Sequence, residues 1–362
     1  MTRPQFSDPA LARKLLSAVE QVAGRVGPVK LMEVCGTHTM EIGRLGLRSL
    51  LPRTVELVSG PGCPVCVTPG SVIDAAVRLA LDRGVAILTF GDMIRVPGNE
   101  LSLEKAAAQG ADVREVVSAL QAVDLAEKDP ERRFVFVAVG FETTVPVVAR
   151  SVVLAAGKKL ANLHFLVAHR LVPPALDALL ADKALGIQAF LLPGHVSAVI
   201  GGAAYRRVAE AGVPGVITGF EALDILSGIH TALTLIADRT ASVVNCYRRV
   251  VRPEGNPRAV ALIRRVFQPV DAAWRGIGTI PGSGFELRPE FTMFDATGEY
   301  GLRVGADRMP EGCSCGSVLK GVIRPDRCPL FGSACTPQTP VGPCMVSSEG
   351  SCAAYYRYEV AR

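Results

Sequence analysis

Ten cysteines stand in this chain of 362 residues, and two of them form a C-x-x-C pair. Cys63 and Cys66 sit in G-P-G-C-P-V-C-V-T-P (60–69), a loop stiffened by three prolines and two glycines. Such a pair is a redox dithiol, half of a metal site, or a coincidence of composition. A redox pair places its first thiol near a helix start and resolves it with the second, whereas a zinc site needs two further ligands. Cys35 opens C-G-T-H-T on an expected strand-to-helix turn. A helix amino end there would lower its pKa and favour the thiolate; the plainer reading is a small buried hydrophobe. Six more cysteines crowd the tail: Cys313, Cys315, Cys328, Cys335, Cys344 and Cys352. Thiolates with no histidine nearby suit Zn(Cys)4 or an iron–sulfur cluster. The gaps are longer and less regular than paired zinc knuckles, which favours [4Fe–4S]. Six cysteines for four positions leave two spare, and spacing does not choose them.

These residues need a frame to hold them. Short apolar runs at 29–34, 55–58, 85–90, 134–139, 163–167, 189–192 and 213–218 read as strands. Between them, 72–82, 113–127, 145–156, 174–181 and 221–236 carry helical patterns. That alternation predicts parallel sheets built from right-handed βαβ units. The charged segment E-K-D-P-E-R-R (127–133) marks an expected boundary. Prolines, glycines and arginines then rise after about Val243. The expected fold is therefore α/β, with two parallel-sheet βαβ domains (1–130 and 131–242) and a loop-rich, cysteine-rich iron–sulfur domain at 243–362.

In open parallel sheets the working residues lie just beyond the carboxyl ends of the strands. Val34 leads into Cys35 and His38, Val58 into the C-x-x-C loop, and Phe90 into G-D-M with Asp92. Val139 leads into G-F-E-T-T with Glu142, Val167 into A-H-R with His169, and Leu192 into P-G-H with His195. Each has a bland alternative. A strand-end histidine is often a hydrogen-bonded structural residue, and Asp92 and Glu142 could cap helices.

Composition narrows the classes. The chain is 49% hydrophobic and 20% charged with no low-complexity tract, which is globular rather than disordered. Basic residues exceed acidic ones by only 39 to 34, spread along the chain, so no nucleic-acid footprint is expected. The amino terminus (1–20) is amphipathic through Leu11, Leu15, Leu16 and Val19 but lacks the pattern of a signal peptide. No run is long enough to span a membrane. The expected location is cytoplasmic, where thiols stay reduced, and cysteines there point to metal or redox chemistry.

Taken together, M-E-V-C-G-T-H-T, G-P-G-C-P-V-C-V-T-P, F-G-D-M, V-G-F-E-T-T, L-L-P-G-H-V-S and M-V-S-S-E-G-S-C-A-A-Y-Y resemble the HypD family of [NiFe]-hydrogenase maturation factors, in order, from Leu31 to Tyr358. The resemblance implies a scaffold for building the Fe(CN)2CO fragment of the hydrogenase active site. It implies a complex with the small chaperone HypC, the iron lying between the two, and a HypE partner that delivers cyanide made from carbamoyl phosphate. It further implies Cys35 as the protein ligand of that iron and Cys63 and Cys66 as a redox-active pair. The family spacing C-x12-C-x6-C-x16-C places [4Fe–4S] ligands at Cys315, Cys328, Cys335 and Cys352, and leaves Cys313 and Cys344 outside. A cluster close to a cysteine pair resembles ferredoxin–thioredoxin reductase in that one respect. The family also implies a monomer that joins heteromeric complexes. On this reading His38, Asp92, Glu142 and His195 are expected to hydrogen-bond the diatomic ligands or move protons. Two rival readings are an iron–sulfur thiol–disulfide oxidoreductase and a zinc-stabilised interaction protein.

Overall fold

The computed structural model describes residues 8–302, 304–305 and 307–360. The first seven residues of the amphipathic amino terminus, and the last two of the expected third domain, lie outside the described residues.

Among the described residues nine strands build two sheets: β1 (Val29–Glu33), β2 (Val55–Ser59), β3 (Ala86–Thr89), β4 (Val113–Glu115), β5 (Phe134–Ala138), β6 (Leu163–Val167), β7 (Ala189–Pro193), β8 (Gly215–Thr218) and β9 (Val243–Asn245). One sheet has the order β2-β1-β7-β8-β9 and the other β4-β3-β5-β6. Every neighbouring pair in them is parallel. The α/β reading with two parallel sheets therefore holds. The chain starts the first sheet, leaves it to build the second, and returns to complete the first. The charged segment 127–133 is an exposed connection from the helix Ala119–Lys128 to β5, inside the second sheet. There Ala86 of β3 lies opposite Phe134 of β5, so the sheets do not divide at 130.

Strands covered on both faces read as unbroken apolar runs, and β5 is buried at all five positions. Alternation then sends Phe134, Phe136 and Ala138 into one core, with Val123, Val148 and Val152 of the flanking helices. Val135, Val137 and Val139 face a central core. The first sheet divides likewise, with Val29 and Leu31 on an outer core and Met32 and Val34 on the central one. The central core thus takes one face of each sheet, and the buried tail cysteines pack into it. Removing a ring such as Phe136 would cost about 3–5 kcal/mol.

The stretch expected as one helix over 113–127 splits in two. Val113–Glu115 pairs with β3, and Ser118 starts the helix Ala119–Lys128 by accepting the Leu120 N–H. Beyond 243 the chain is more regular than expected. After β9 come the helix Pro257–Val266, capped by Asn256, and an antiparallel hairpin of β10 (Phe267–Trp274) and β11 (Gly278–Leu287). Only after β11 does it become loop-rich, in short turns and helices of three to six residues. No helix among the described residues is long and apolar enough to cross a membrane.

Candidate functional site

Because β1 and β2 are neighbours, with Met32 opposite Val58, the loops leaving them emerge side by side. Cys35 has extended backbone and caps the helix Gly36–Arg44. The C-x-x-C loop lies directly on it. A Cβ at Gly62 would stand 2.4 Å from the Cys35 nitrogen, so only glycine permits the approach. The Gly36 N–H donates to the Gly62 carbonyl at 2.9 Å and fixes the two loops together. Cys63 caps the short helix Pro64–Val67, with Pro64 at the first helical position, and Cys66 lies within that helix. All three thiols are buried.

Cys35 lines a half-open cleft of about 440 Å³ formed where strand ends of both sheets meet. Thr37 and Pro64 line it beside the cysteine loops, Phe141, Thr143 and Thr144 follow β5, and His195 follows β7. Its last wall is Glu349, carried by the tail. The Thr37 hydroxyl donates to Glu349 Oε1 at 2.6 Å, and a Cβ at Gly36 would fall 2.6 Å from the Glu349 carbonyl oxygen. The sequence reading passed over Glu349, although it lies within M-V-S-S-E-G-S-C between two cysteines.

The expectation of an acidified Cys35 is overturned. Burial pushes its thiol up to about 11, with the nearby Glu349 charge adding to the rise. Backbone N–H groups of the helix start pull the other way without prevailing. In the free protein Cys35 is a thiol, and a bound metal or a base must draw off its proton.

Of the four polar residues expected around the iron, only His195 lines this cleft. Its ring stacks on Phe220 at 4.0 Å, and burial lowers its pKa. His38 lies fully buried against the same Phe220. It donates from Nε2 to the Gly219 carbonyl at 2.9 Å, leaving Nδ1 unpartnered, and burial holds its pKa near 4. Asp92 is exposed and accepts the Ser347 hydroxyl at 2.6 Å, tying down the tail. Glu142 accepts the Val172 N–H at 2.9 Å and lines a different cleft of about 480 Å³, beside Ile263 and Phe267. Its Oε2 has no partner, and burial lifts its pKa to about 7. A shared strand-end position thus brings Asp92 and Glu142 to the same side of the sheets without bringing them to one cleft. His169 is buried edge-on to Phe267 with neither ring nitrogen partnered, at variance with a hydrogen-bonded structural role.

A tail contact beneath the cleft is held by Arg48. Its guanidinium bonds the fully buried Glu33 at 2.6 Å and Glu359 at 3.2 Å, and stacks 4.6 Å over Tyr355. This ties β1 to the helix Ser351–Tyr355, which carries Cys352.

The tail cysteines continue from the C-x-x-C pair. Cys66 reaches the carbonyl of Pro343, next in sequence to Cys344, at 3.9 Å; burial first, then Cys63, raises its pKa. Cys344 Sγ lies 2.7 Å from Cys315 Sγ. Cys315 is therefore engaged with a cysteine that the family spacing left aside. Cys313 adjoins Cys315, and burial raises the pKa of Cys335, whose sulfur accepts the Val341 N–H at 3.4 Å. Cys328 Sγ lies 4.0 Å from the Gly312 carbonyl, next in sequence to Cys313. Cys246 stands elsewhere, 3.5 Å from the Thr231 hydroxyl. Among the described residues no three ligating side chains stand ready around a single point for a metal ion. What fits an iron–sulfur cluster is the donor set itself, all thiols and no histidine, gathered in and beside the central core.

The whole chain is similar to known proteins. Residues 10–359 match the sequence model of the HypD family, described as "Hydrogenase formation hypA family". The hydrogenase maturation factor HypD of Escherichia coli K12 is 45% identical over 335 residues, covering 91% of this chain and 89% of its own. That of Rhodobacter capsulatus is 42% identical, covering 99% and 98%, and that of Cupriavidus necator 40%, covering 98% and 96%. A match over nearly the whole length places the cysteine loops, the cleft and the tail in one inherited unit, and this chain belongs to the HypD family.

Proposed function

We propose that the protein is a hydrogenase maturation factor on which the Fe(CN)2CO fragment of a [NiFe]-hydrogenase is assembled, working in the cytoplasm with a HypC-type chaperone and a HypE-type cyanide donor. The observation that carries this is Cys35. It is a soft donor on the wall of an open cleft, backed by a dithiol loop locked against it. A thiolate suits iron bearing cyanide and carbonyl. The iron fragment is the cargo, and Cys35 holds it after losing its proton. His195 and Glu349 are the groups on the cleft wall able to take that proton. Phe141 and Pro193 keep the far wall apolar, which limits competing water.

Cys63 and Cys66 act as the redox pair, and the Cys66–Cys344–Cys315 succession extends it into the tail. The cluster falls, as the family spacing implies, to Cys315, Cys328, Cys335 and Cys352. A [4Fe–4S] cluster held there would supply single electrons. The same succession also favours the second reading, an iron–sulfur thiol–disulfide oxidoreductase of the ferredoxin–thioredoxin reductase type. Iron analysis separates the two. Purified with its HypC-type partner, wild-type protein should carry cluster iron plus cargo iron, and Cys35→Ser only the cluster iron. Equal iron in both would favour the oxidoreductase.

A further inference from the structure

Besides Cys35, five described residues bring polar side chains to the open cleft: Thr37, Thr143, Thr144, His195 and Glu349. Thr37 and Glu349 hold each other, and the Thr144 hydroxyl donates to the Phe141 carbonyl at 3.1 Å. Thr143 and His195 remain, both exposed, and neither side chain has a hydrogen-bond partner among the described residues. They reach the cleft from different sheets, Thr143 after β5 and His195 after β7. Each is steadied by its surroundings. The Thr144 N–H donates to the Phe141 carbonyl at 3.0 Å and closes the turn that carries Thr143. Phe141 is stacked on Trp274 at 5.9 Å, and Glu142 is tied to the Val172 N–H. His195 lies in the first turn of the helix Gly194–Ile200 with its ring against Phe220. Val34, Phe141, Pro193 and Val196 make the rest of the wall largely apolar.

Fe(CN)2CO carries two kinds of ligand. Each cyanide nitrogen bears negative charge and a lone pair, and such an acceptor leaves water at little cost only where a donor replaces it. The oxygen of carbon monoxide is a weak acceptor and loses little against hydrocarbon. We propose that Thr143 is a cargo-binding residue, its hydroxyl donating to one cyanide nitrogen of the fragment on Cys35, with His195 donating to the other and carbon monoxide turned to the apolar wall. A threonine hydroxyl can always donate, and an imidazole keeps one N–H in either tautomer. Two idle donors thus stand against two cyanides, and the mismatch between polar and apolar walls orients the fragment. The inference rests on the proposed function and adds to it the residue that follows Glu142 in G-F-E-T-T.

The test compares Thr143→Val and Thr143→Ser with wild type, each purified with the HypC-type partner and measured by iron analysis and by infrared spectra in H2O and D2O. Valine keeps the shape and removes the hydroxyl; serine keeps the hydroxyl. Thr143→Val should move the cyanide bands more than the carbonyl band and should lose part of the cyanide shift that D2O causes in wild type. Thr143→Ser should restore both. Loss of the bands in Thr143→Val with retention in Thr143→Ser also supports the hydroxyl contact. Wild-type bands and a wild-type D2O shift in Thr143→Val overturn it, as does an equal change in both variants. A wild-type complex that holds iron without cyanide or carbonyl bands overturns the proposed function itself, a result separate from any change confined to Thr143→Val.

Discussion

Gly62→Ala is the smallest change that should part Cys35 from its dithiol loop. The new Cβ would meet the Cys35 nitrogen at 2.4 Å and its Cα and carbonyl carbon at 2.6 Å, where ordinary contact begins near 3.4 Å. All three are backbone atoms, so no rotamer relieves the clash and the loop must retreat by about 1 Å. The retreat strains or breaks the Gly36 to Gly62 hydrogen bond of 2.9 Å. Overpacking of this kind costs about 1–3 kcal/mol, with about 1 kcal/mol more for the lost bond. The functional loss should be larger, since a misplacement of about 1 Å at a reacting centre can cost roughly a hundredfold. The assay is hydrogenase maturation in cells lacking their own family member, with thermal unfolding measured in parallel. Gly24→Ala serves as the control, since nothing lies within 4 Å of its would-be Cβ. In a helix interior that change should add about 0.5–1 kcal/mol and leave maturation intact. Wild-type stability and wild-type maturation in Gly62→Ala would refute the requirement for close approach.

Other perturbations give distinct readouts. Arg48→Ala leaves Glu33 buried without its partner and frees Glu359, and should cost about 3–5 kcal/mol in urea unfolding; a loss below about 1 kcal/mol would contradict the clamp. Glu142 keeps a proton in the folded chain up to about pH 7, whereas the unfolded chain releases it near 4.5, so stability falls as pH rises through that window, by about 3 kcal/mol in all. Glu142→Gln should match wild type at pH 4 and exceed it by that amount at pH 8, and an unchanged pH profile would count against the buried carboxyl. Mild oxidation of cluster-free protein should join Cys315 to Cys344, seen as a linked peptide by mass spectrometry, while Cys246 stays alkylatable. Linkage of other cysteines with Cys315 and Cys344 left free would refute the pairing.

Central strands were legible because burial on both faces leaves a solid apolar run, as at 134–139. The edge strands β4 and β9 escaped. Each has three residues, none fully buried, so neither shows a run or a clear alternation. The hairpin hid behind Pro269 and Pro281, residues that ordinarily argue against a strand. The return of the chain to its first sheet is a long-range pairing, Leu31 beside Ala189, that no local pattern encodes. At the site, adjacency of Cys35 to the C-x-x-C loop followed from strand-end logic. The arrival of Glu349 did not, because it depends on a contact spanning 312 positions. The acidity of Cys35 was misread for a related reason: sequence shows the helix start, but burial, which outweighs it, is a property of the packed tail.

Infrared spectroscopy of the protein purified with its HypC-type partner tests the central proposal most directly. We expect bands of iron-bound cyanide and carbon monoxide in the wild-type complex and their loss in Cys35→Ser. Bands of equal intensity in both, or none from an iron-loaded wild-type complex, would contradict Cys35 as the residue that holds the fragment.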